Sequence, residues 1–440
     1  MKALSKAIQK ALYPTICKNL DELLRKYGKQ DAQVRLWDGT TFGKTNRPTF
    51  TLVLQHPEAL QQLLGPTNQL KLGEAYVAGD FDVEGDIEAA FDFGNYLLSR
   101  EEAPRPHDGL KFALLNKLAI HEQSTSNEYT LDLHGPIHSK ERDLQAIQYH
   151  YDLPPEFYAL WLDPHMLYSC AYFSDGADLG KAQEQKLHYI CKKLRLQRGD
   201  FLLDIGCGWG GLLVYAAKHF GVDALGITLS IRQAETARAR IHEANLEKHC
   251  RVEVCDYRDL EPSLHFDKIV SVGMFEHVGE ALLPEYFGRA WRLLRPGGVF
   301  LNSGISSVPS RAHHGPSFVD HYVFPDGELV PVGKTISIAE ACGFEVRDVE
   351  NLREHYAMTL HEWVHRLEAN AEEAKRLTNE ATYRIWRLYM AGSAHEFRSG
   401  DLDLYQMLLA KPNHGDARMP LTRADWYDPP EWAADDLAAA

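Results

Sequence analysis

The chain has 440 residues, 45% of them hydrophobic and 25% charged, which is the composition of a globular protein with room for two or three domains. Its 62 acidic side chains outnumber its 47 basic ones, and the net charge of −15 argues against general binding of nucleic acids. The sequence contains no apolar run of about eighteen residues and no apolar signal core at its start, so we expect neither a membrane-spanning helix nor secretion. Its seven cysteines are scattered, as in a reduced cytoplasm.

The first residues are the one strongly basic stretch. Lys2, Lys6 and Lys10 alternate with the apolar Leu4 and Ile8 at helical spacing. This pattern fits an amphipathic helix on a lipid surface. It fits equally well a helix that packs against its own domain and exposes a basic face.

Residues 1–125 mix strand and helix signals. Asp38-Gly39 predicts a turn, residues 50–54 predict a strand, and helices are expected at 56–64 and 86–98. The polar stretch 122–128 predicts a linker, and helix returns near 141–150.

The next part of the chain alternates strands and helices, which predicts a parallel, doubly wound sheet. Five strands are expected, at 201–205, 223–228, 251–255, 267–272 and 298–303. Ligands bind beyond the carboxyl ends of such strands, and Gly206, Thr228, Asp256, Glu276 and Ser303 fall at or just after those ends. Residues 360–408 are predicted to be helical and to cover the substrate.

The stretch Asp204–Gly211 joins an apolar strand to a helix through closely spaced glycines. Its pattern, Asp-x-Gly-x-Gly-x-Gly, differs from that of dinucleotide-binding loops, and the second strand ends in Thr228 instead of an acidic residue. An NAD(P)-dependent reductase is therefore disfavoured. The acid-first loop resembles motif I of S-adenosylmethionine (SAM)-dependent methyltransferases.

Three further motifs narrow the resemblance: His150-Tyr151-Asp152 with the stretch 166–173, Cys255–Asp259, and Val270–Gly279, which ends in Met-Phe-Glu-His-Val-Gly. Together with the glycine loop, over roughly residues 145–410, they resemble the cyclopropane-fatty-acyl-phospholipid synthases and the related mycolic acid cyclopropane synthases. The first 140 residues resemble the amino-terminal domain of the phospholipid enzymes more loosely.

This resemblance implies an α/β fold with a Rossmann-like SAM-dependent methyltransferase domain. The implied domains are a smaller, lipid-binding-like α+β domain at 1–125, a linker at 126–145, the catalytic domain with a helical cap at 146–410, and a tail at 411–440.

The resemblance also implies the cofactor site. The methionine part of SAM would meet the glycine loop, the ribose would lie near Thr228 and Gln233, and adenine would lie between Asp256 and Tyr257. The implied cofactor-binding residues are Tyr168, Ser169, Asp204, Gly206, Gly208, Gly210, Thr228, Gln233, Asp256 and Tyr257. No metal is expected: His313, His314 and His321 are interpreted as part of a solvated or substrate-facing loop.

Methyl transfer to a lipid double bond leaves a carbocation, which needs electron-rich neighbours and then a base that removes a proton. Aromatic residues near the motifs could supply such faces, although several are expected to be core residues: Tyr151, Tyr168, Tyr172, Phe173, Trp209, Phe275 and Tyr356.

In the family that this chain resembles, the base is a bicarbonate ion held by a glutamate, a histidine, a tyrosine and backbone near a cysteine. Glu276, Tyr356 and Cys170 match three of these positions, but Ser303 stands where the family has its histidine. Ser393 likewise replaces a second family cysteine. Bicarbonate could be held more weakly, or by other histidines, for which the candidates are His277, His313, His314 and His321.

Three functions remain open. The first is transfer of a methylene group from SAM to unsaturated phospholipid chains, giving cyclopropane fatty acids. The second is methylation of the same chains to methyl- or methylene-branched products. The third is non-catalytic lipid binding. The expected setting is cytoplasmic and peripheral to the inner membrane, with a homodimer as an open possibility.

Overall fold

The computed structural model describes residues 2–65, 67–99, 133–174, 176–311 and 317–428. The chain forms two compact units. The first takes in residues 1–131, 315–323 and 379–395, and the second 132–314, 324–378 and 396–440. The linker signal at 122–128, the histidine pair at 313–314 and the end of the tail lie outside the described residues. The boundaries expected from the sequence for the domains stay a prediction.

The first unit is built on a four-stranded sheet of order β2-β1-β3-β4. Its strands are Ala32–Arg35 (β1), Thr41–Phe42 (β2), Phe50–Leu54 (β3) and Phe81–Gly85 (β4). The helices around it are Lys2–Tyr27 (α1), Leu60–Leu64 (α2), Gln69–Val77 (α3) and Ile87–Leu98 (α4). The Asp38-Gly39 turn, the strand at 50–54 and the helices near 56–64 and 86–98 are confirmed.

Two segments from far along the chain complete this unit, one bound through two arginines and the other packed through Phe318. Arg387 Nη1 donates to the Tyr76 hydroxyl at 2.7 Å, and Arg384 Nη2 lies 2.9 Å from Asp82 Oδ2. Phe318 packs where Gly73 has no side chain, since a Cβ at Gly73 would lie 2.3 Å from the Phe318 ring.

The second unit contains a seven-stranded sheet of order β10-β11-β9-β8-β5-β6-β7. Its strands are Phe201–Ile205 (β5), Asp223–Thr228 (β6), Cys250–Val254 (β7), Phe266–Val272 (β8), Leu294–Ser307 (β9), Glu345–Asn351 (β10) and Leu402–Ala410 (β11). Strands β5 to β9 pair in parallel, whereas β11 is antiparallel to both β9 and β10. The parallel sheet is thus confirmed, and β10 and β11, of which only β11 runs against the other strands, are an addition to it.

Apolar side chains cover both faces of this sheet. One core cluster includes Leu187, Leu213 and Leu301, and the other includes Phe266, Phe287 and Phe300. The remaining helices are Lys140–Tyr151 (α5), Pro155–Ala159 (α6), Leu179–Leu194 (α7), Gly211–Phe220 (α8), Ile231–Glu243 (α9), Leu283–Leu293 (α10), Phe318–Tyr322 (α11), Val332–Ala341 (α12), Arg353–Ala369 (α13), Ala371–Leu377 (α14) and Glu380–Ser399 (α15).

Two expectations about the end of the sheet are wrong, and they share a cause. Residues 402–408, expected to be helical, form most of β11. Ser303, expected at or just after the end of its strand, lies inside β9, which runs on to Ser307. Strand β11 pairs with β9 from Val299 to Ser307 and so extends it, and a partner from 100 residues later leaves no local signal in the sequence.

Within the described ranges, none of the helices combines the length and the apolar composition needed to cross a membrane.

Candidate active site

A cavity lies in the second unit beyond the carboxyl ends of β5, β6 and β8, where an open parallel sheet binds its ligand. It is lined by all of the expected cofactor residues except Gly210: Tyr168, Ser169, Asp204, Gly206, Gly208, Thr228, Gln233, Asp256 and Tyr257. Sequence positions spread over about 90 residues are therefore gathered around one cavity.

The glycine loop leaves its strand through a turn that excludes side chains. Gly206 has a φ of +82°, and a Cβ there would lie 2.8 Å from the Cβ of Met274. Gly210 begins α8 with a φ of +80°, and a Cβ there would lie 3.0 Å from Ala237. Gly206 thus shapes the cavity wall, whereas Gly210 lets α8 and α9 pack closely.

One wall of the cavity joins the two residues expected near the ribose. The Thr228 hydroxyl donates to Gln233 Oε1 at 2.7 Å and accepts from the backbone N–H of Ser230 at 3.2 Å. Ser230 in turn caps α9 by accepting from the Gln233 backbone N–H. The helix cap therefore fixes both side chains at the cavity.

The expected adenine end carries an ion-pair network that the sequence did not reveal. Asp256 accepts hydrogen bonds from Arg258 Nε at 2.8 Å and Nη2 at 2.6 Å. Arg258 also pairs with Asp143 of α5 at 2.8 Å, and both Arg258 and Asp143 line the cavity. These bonds raise the pKa of Arg258 further above its usual range. The Asp256 carboxylate is thus oriented by Arg258, a residue that lies in the Cys255–Asp259 motif but received no role from it.

Another part of the cavity wall holds a buried acid and a buried base. Asp204 and Lys186 both line the cavity and are 3% and 2% exposed. Burial raises the pKa of Asp204 to about 7, an effect that the charge of Lys186 opposes. Burial likewise lowers the pKa of Lys186 to about 8. Lys186 was missed, although it stands with Gln183 among the apolar residues on the buried face of α7, where a polar residue needs a reason.

Glu276 lies in a short 3₁₀ turn, Phe275–His277, just beyond β8. Its Oε1 accepts from the backbone N–H of Ile305 at 2.8 Å, while its Oε2 has no hydrogen-bond partner among the described residues. Burial raises the pKa of this carboxyl to about 7. Glu276 does not line the cofactor cavity, but its neighbours Met274 and His277 do.

Ser303 lies close to Glu276 along β9. It is 3% exposed and pairs with Val272 of β8, and its carbonyl accepts from the Gly273 backbone N–H at 2.9 Å. Val272 and Gly273 are part of the cavity wall. Ser303 therefore lies behind the part of the wall that β8 forms, two residues before Ile305, whose backbone N–H donates to Glu276.

Cys170 lies at the start of α13, the helix that carries Tyr356. The Cys170 thiol lies 3.8 Å from the carbonyl of Leu352, the residue before α13, and the backbone N–H of Ala171 donates to Thr359 at 3.0 Å. Tyr356 is buried, with its ring 6.1 Å from Trp363 and 4.7 Å from Phe397. Burial raises the pKa of the Cys170 thiol far above its usual range, which suits a packing and backbone role better than a nucleophile.

Aromatic rings connect the cofactor wall to Tyr356. The Tyr168 ring is 5.3 Å from Trp363, which contacts Tyr356, and Tyr151 contacts Trp209 at 6.3 Å in the cavity wall. Two other aromatic residues that the sequence singled out make packing contacts: Tyr172 stacks on His355 at 4.8 Å, and Phe275 packs against Gly304.

The histidines considered as replacements for the family histidine lie in different parts of the structure. His277 lines the cavity, and burial, with a contribution from His138, lowers its pKa to about 4. His321 is exposed in the first unit and lies on the short helix α11, so its expected place in a loop is wrong. Ser393, which stands at the position of the second family cysteine, lies on α15.

The sheet order, the acid-first glycine loop and the cavity beyond β5, β6 and β8 define a SAM-dependent methyltransferase. The charged groups at one end of the cavity and the Thr228–Gln233 wall suit a zwitterionic amino acid joined to a nucleoside, as in SAM. The solved structure of mycolic acid cyclopropane synthase CmaA1, complexed with SAH and CTAB, superimposes with a TM-score of 0.58 at 35% identity, over 60% of this chain and 97% of that one.

The chain belongs to the mycolic acid cyclopropane synthetase family, whose model matches residues 138–407. A second model, described as a domain of unknown function, matches residues 19–93. A probable fatty acid methyltransferase of Pseudomonas putida is 42% identical over 90% of this chain and 96% of its own length. The cyclopropane-fatty-acyl-phospholipid synthase of Escherichia coli strain K12 is 36% identical over 69% of this chain and 77% of its own.

Proposed function

We propose that this protein transfers the methyl carbon of SAM to a carbon–carbon double bond in an unsaturated phospholipid chain, and that the product is a cyclopropane ring. The observation that carries this proposal is the hydrogen bonding of the Glu276 carboxyl. It is a buried carboxyl with one oxygen fixed and the other without a hydrogen-bond partner in the described structure, beside the cofactor cavity. SAM supplies an electrophilic methyl group when it is bound.

The chain's own residues meet the demands that an alkene substrate makes. An alkene has no proton to lose before it attacks, so no strong base is needed at that step. The cation that follows lies next to electron-rich rings if the chain enters along Tyr168, Trp363 and Tyr356. The Glu276 carboxyl adds negative charge when it is ionised, and its pKa of about 7 makes it ionised in part at neutral pH.

Ring closure needs a group that accepts a proton from the new methyl group. We propose that a bicarbonate ion accepts it, held by Glu276, Tyr356 and backbone near Cys170. Oε2 of Glu276, which has no hydrogen-bond partner in the described structure, can accept the O–H of the bicarbonate ion when the carboxyl is ionised. Ser303 would add a neutral donor in place of the family histidine.

We propose further that the substrate is reached at a membrane surface, with the basic start of α1 contributing attraction to anionic lipid. The relative from Escherichia coli is named for a phospholipid product, which supports this choice of substrate.

A second product is favoured by one specific observation. Ser303 removes a chargeable group from the proposed bicarbonate site, and the relative that is 42% identical is named a probable fatty acid methyltransferase. If the cation loses a proton elsewhere, after a hydride shift, the product keeps a double bond and is a methylene-branched chain or an unsaturated methyl-branched chain.

Mass spectrometry of phospholipids tests both proposals, after expression in a host that lacks its own synthase. A mass gain of one CH₂ on unsaturated chains is the expected result, and its absence would contradict the proposed reaction. Mild hydrogenation then separates the products, because it reduces a methylene double bond and leaves most of the ring intact.

A further inference from the structure

One face of the seven-stranded sheet carries buried polar side chains within an apolar core. Ser271 on β8 and Asn302 on β9 are direct neighbours across the two strands, and both are fully buried. They continue the face on which Ile269 and Phe300, two residues earlier on each strand, join the core cluster around Phe287. Polar side chains in such a place are destabilising unless hydrogen bonds satisfy them.

Tyr286 of α10 packs against this face. Its hydroxyl donates to Asn302 Oδ1 at 2.8 Å, and its ring meets the ring of Tyr257 edge-on, with the centroids 5.4 Å apart. Burial raises the pKa of Tyr286 far above its usual range, and Ser271 opposes this rise. Tyr257 and Glu276 add to it, so these three neighbours all lie within reach of the Tyr286 hydroxyl.

The Glu276 carboxyl lies beside the same face of β9. A Cβ placed on Gly304, two residues after Asn302, would lie 3.0 Å from Glu276 Oε1. Side chains two residues apart on a strand point to the same face of the sheet. The carboxyl group and the Asn302 amide are therefore successive neighbours along β9.

Four polar atoms of this group are buried and have no hydrogen-bond partner among the described residues: Ser271 Oγ, Asn302 Nδ2, Tyr257 Oη and Glu276 Oε2. The amide and the phenol can donate, the ionised carboxyl can accept, and the serine hydroxyl can do either. Ordered water is what usually satisfies such buried groups, and it needs two to four polar partners. The group contains no lysine or arginine, so a neutral molecule that both donates and accepts suits it better than an anion.

We propose that the Tyr286 cluster, defined as Ser271, Asn302, Tyr286, Tyr257 and Glu276, binds ordered water that bridges Asn302 Nδ2 to Glu276 Oε2. The water accepts from the amide and donates to the carboxylate, so no covalent bond changes. A carboxylate oxygen can accept two hydrogen bonds, which leaves room for the bicarbonate ion proposed above. Asn302 and Tyr286 are then positioning residues for Glu276. That role rests on the proposed function, whereas the binding of water does not.

Two measurements on the full-length protein test the water itself. A crystal structure should show water within hydrogen-bond distance of Asn302 Nδ2 and Glu276 Oε2. Ser271→Ala removes a hydroxyl without a protein partner, so it should lower the urea midpoint of unfolding if that hydroxyl binds water. An unchanged or higher midpoint, as expected when an unsatisfied group is removed, or electron density without water at this place, would overturn the proposal.

The pH dependence of turnover tests the positioning role. If the ionised Glu276 is the active form, turnover should rise with pH through its pKa of about 7. Water that donates to Oε2 favours the ionised form, so its loss in Asn302→Leu should move this rise to higher pH by roughly one unit. Affinity for S-adenosylhomocysteine should stay near that of the wild type. If circular dichroism shows that Asn302→Leu does not fold, Tyr286→Phe replaces it and should move the rise in the same direction.

Thr335→Val is the matched control. It removes a buried hydroxyl that donates to the Pro331 carbonyl at 3.3 Å at the start of α12, and it should leave the pH profile unmoved. A folded Asn302→Leu with the pH profile of the wild type would overturn the positioning role. A wild type that adds no CH₂ to unsaturated chains would instead contradict the proposed function, and the crystal structure and the urea midpoints would still decide whether water is bound.

Discussion

The Glu276 carboxyl binds the backbone of β9 just beyond the point where its neighbour β8 ends. The last pair of the two strands joins Val272 to Ser303, and two residues further on the backbone N–H of Ile305 donates to Glu276 Oε1 at 2.8 Å. The carboxyl group therefore satisfies a backbone group that the shorter strand leaves open, and its second oxygen remains for other partners.

This arrangement predicts that Glu276→Gln separates chemistry from folding. The glutamine carbonyl can still accept from Ile305, so the fold and the affinity for S-adenosylhomocysteine should be nearly unchanged. Turnover should fall about 10²–10³-fold, as is usual when one preorganised polar group is lost. Glu280→Gln is the control, because that carboxylate pairs with Lys334 on the surface nearby. Turnover within a few-fold of wild type would remove Glu276 from the mechanism.

The same carboxyl predicts a dependence of stability on pH. Its pKa of about 7 in the folded chain lies above the ordinary value of 4.5, so folding favours the protonated form. Its contribution is complete below pH 4.5 and is lost as the pH rises through 7. Relative to wild type, Glu276→Gln should therefore gain up to about 3 kcal/mol of unfolding free energy between pH 5 and pH 8.

Urea denaturation at the two pH values measures this gain. Asp204 shares the direction of the shift but is present in both proteins, so its effect cancels in the difference. A difference that does not grow with pH would show that the Glu276 carboxyl is not perturbed by burial.

Local patterns were sufficient for much of this structure. The five parallel strands and the glycine loop were predicted because each depends on apolar residues and glycines within a few positions of one another. The cavity followed from topology, since parallel strands bring their carboxyl ends to one edge.

Long-range pairing was not predictable in the same way. Strand β11 was read as helix because Leu402–Ala410 has no clear alternation, being buried along most of its length by β9 and β10. The places of Lys186 and Arg258 in the cavity wall were missed for a similar reason. Their partners, Ser169 and Asp143, are 17 and 115 residues away and follow no motif spacing.

The glycine loop gives a prediction about cofactor binding. Gly206→Val adds a branched side chain where even a Cβ would lie 2.8 Å from Met274, and Asp204→Ala removes the buried acid from the cavity. Both variants should lose measurable binding of S-adenosylhomocysteine by calorimetry. Gly199→Val is the control, because Gly199 has a similar φ of +85° with open space around it. Near-normal affinity in both loop variants would contradict this placement of the cofactor.

The basic start of α1 gives a prediction about membranes. Lys2, Lys6 and Lys10 replaced by glutamate should weaken binding to vesicles that contain anionic phospholipid, and added salt should weaken the wild type in the same way. A triple variant with glutamate at the exposed Lys181, Lys218 and Lys248 has the same net charge and controls for it. Equal vesicle pull-down of the two variants would favour a helix that only packs within its own unit.

Ser303 tests how far the bicarbonate mechanism applies to this chain. If Glu276, Tyr356 and backbone near Cys170 hold the ion, depletion of bicarbonate should slow the wild type and its addition should restore the rate. Ser303→Ala should then raise the bicarbonate concentration needed for half-maximal rate, because it removes a donor, and Ser303→His should lower that concentration by adding a donor that can carry charge. Ser303 is only 3% exposed, so circular dichroism must first show that the histidine variant folds. The alanine variant and the wild-type response do not depend on that result.

A wild type whose rate does not depend on bicarbonate, and which forms no cyclopropane from an unsaturated phospholipid, would contradict the ring-forming proposal. The methyl- or methylene-branched product would then become the better account of this site.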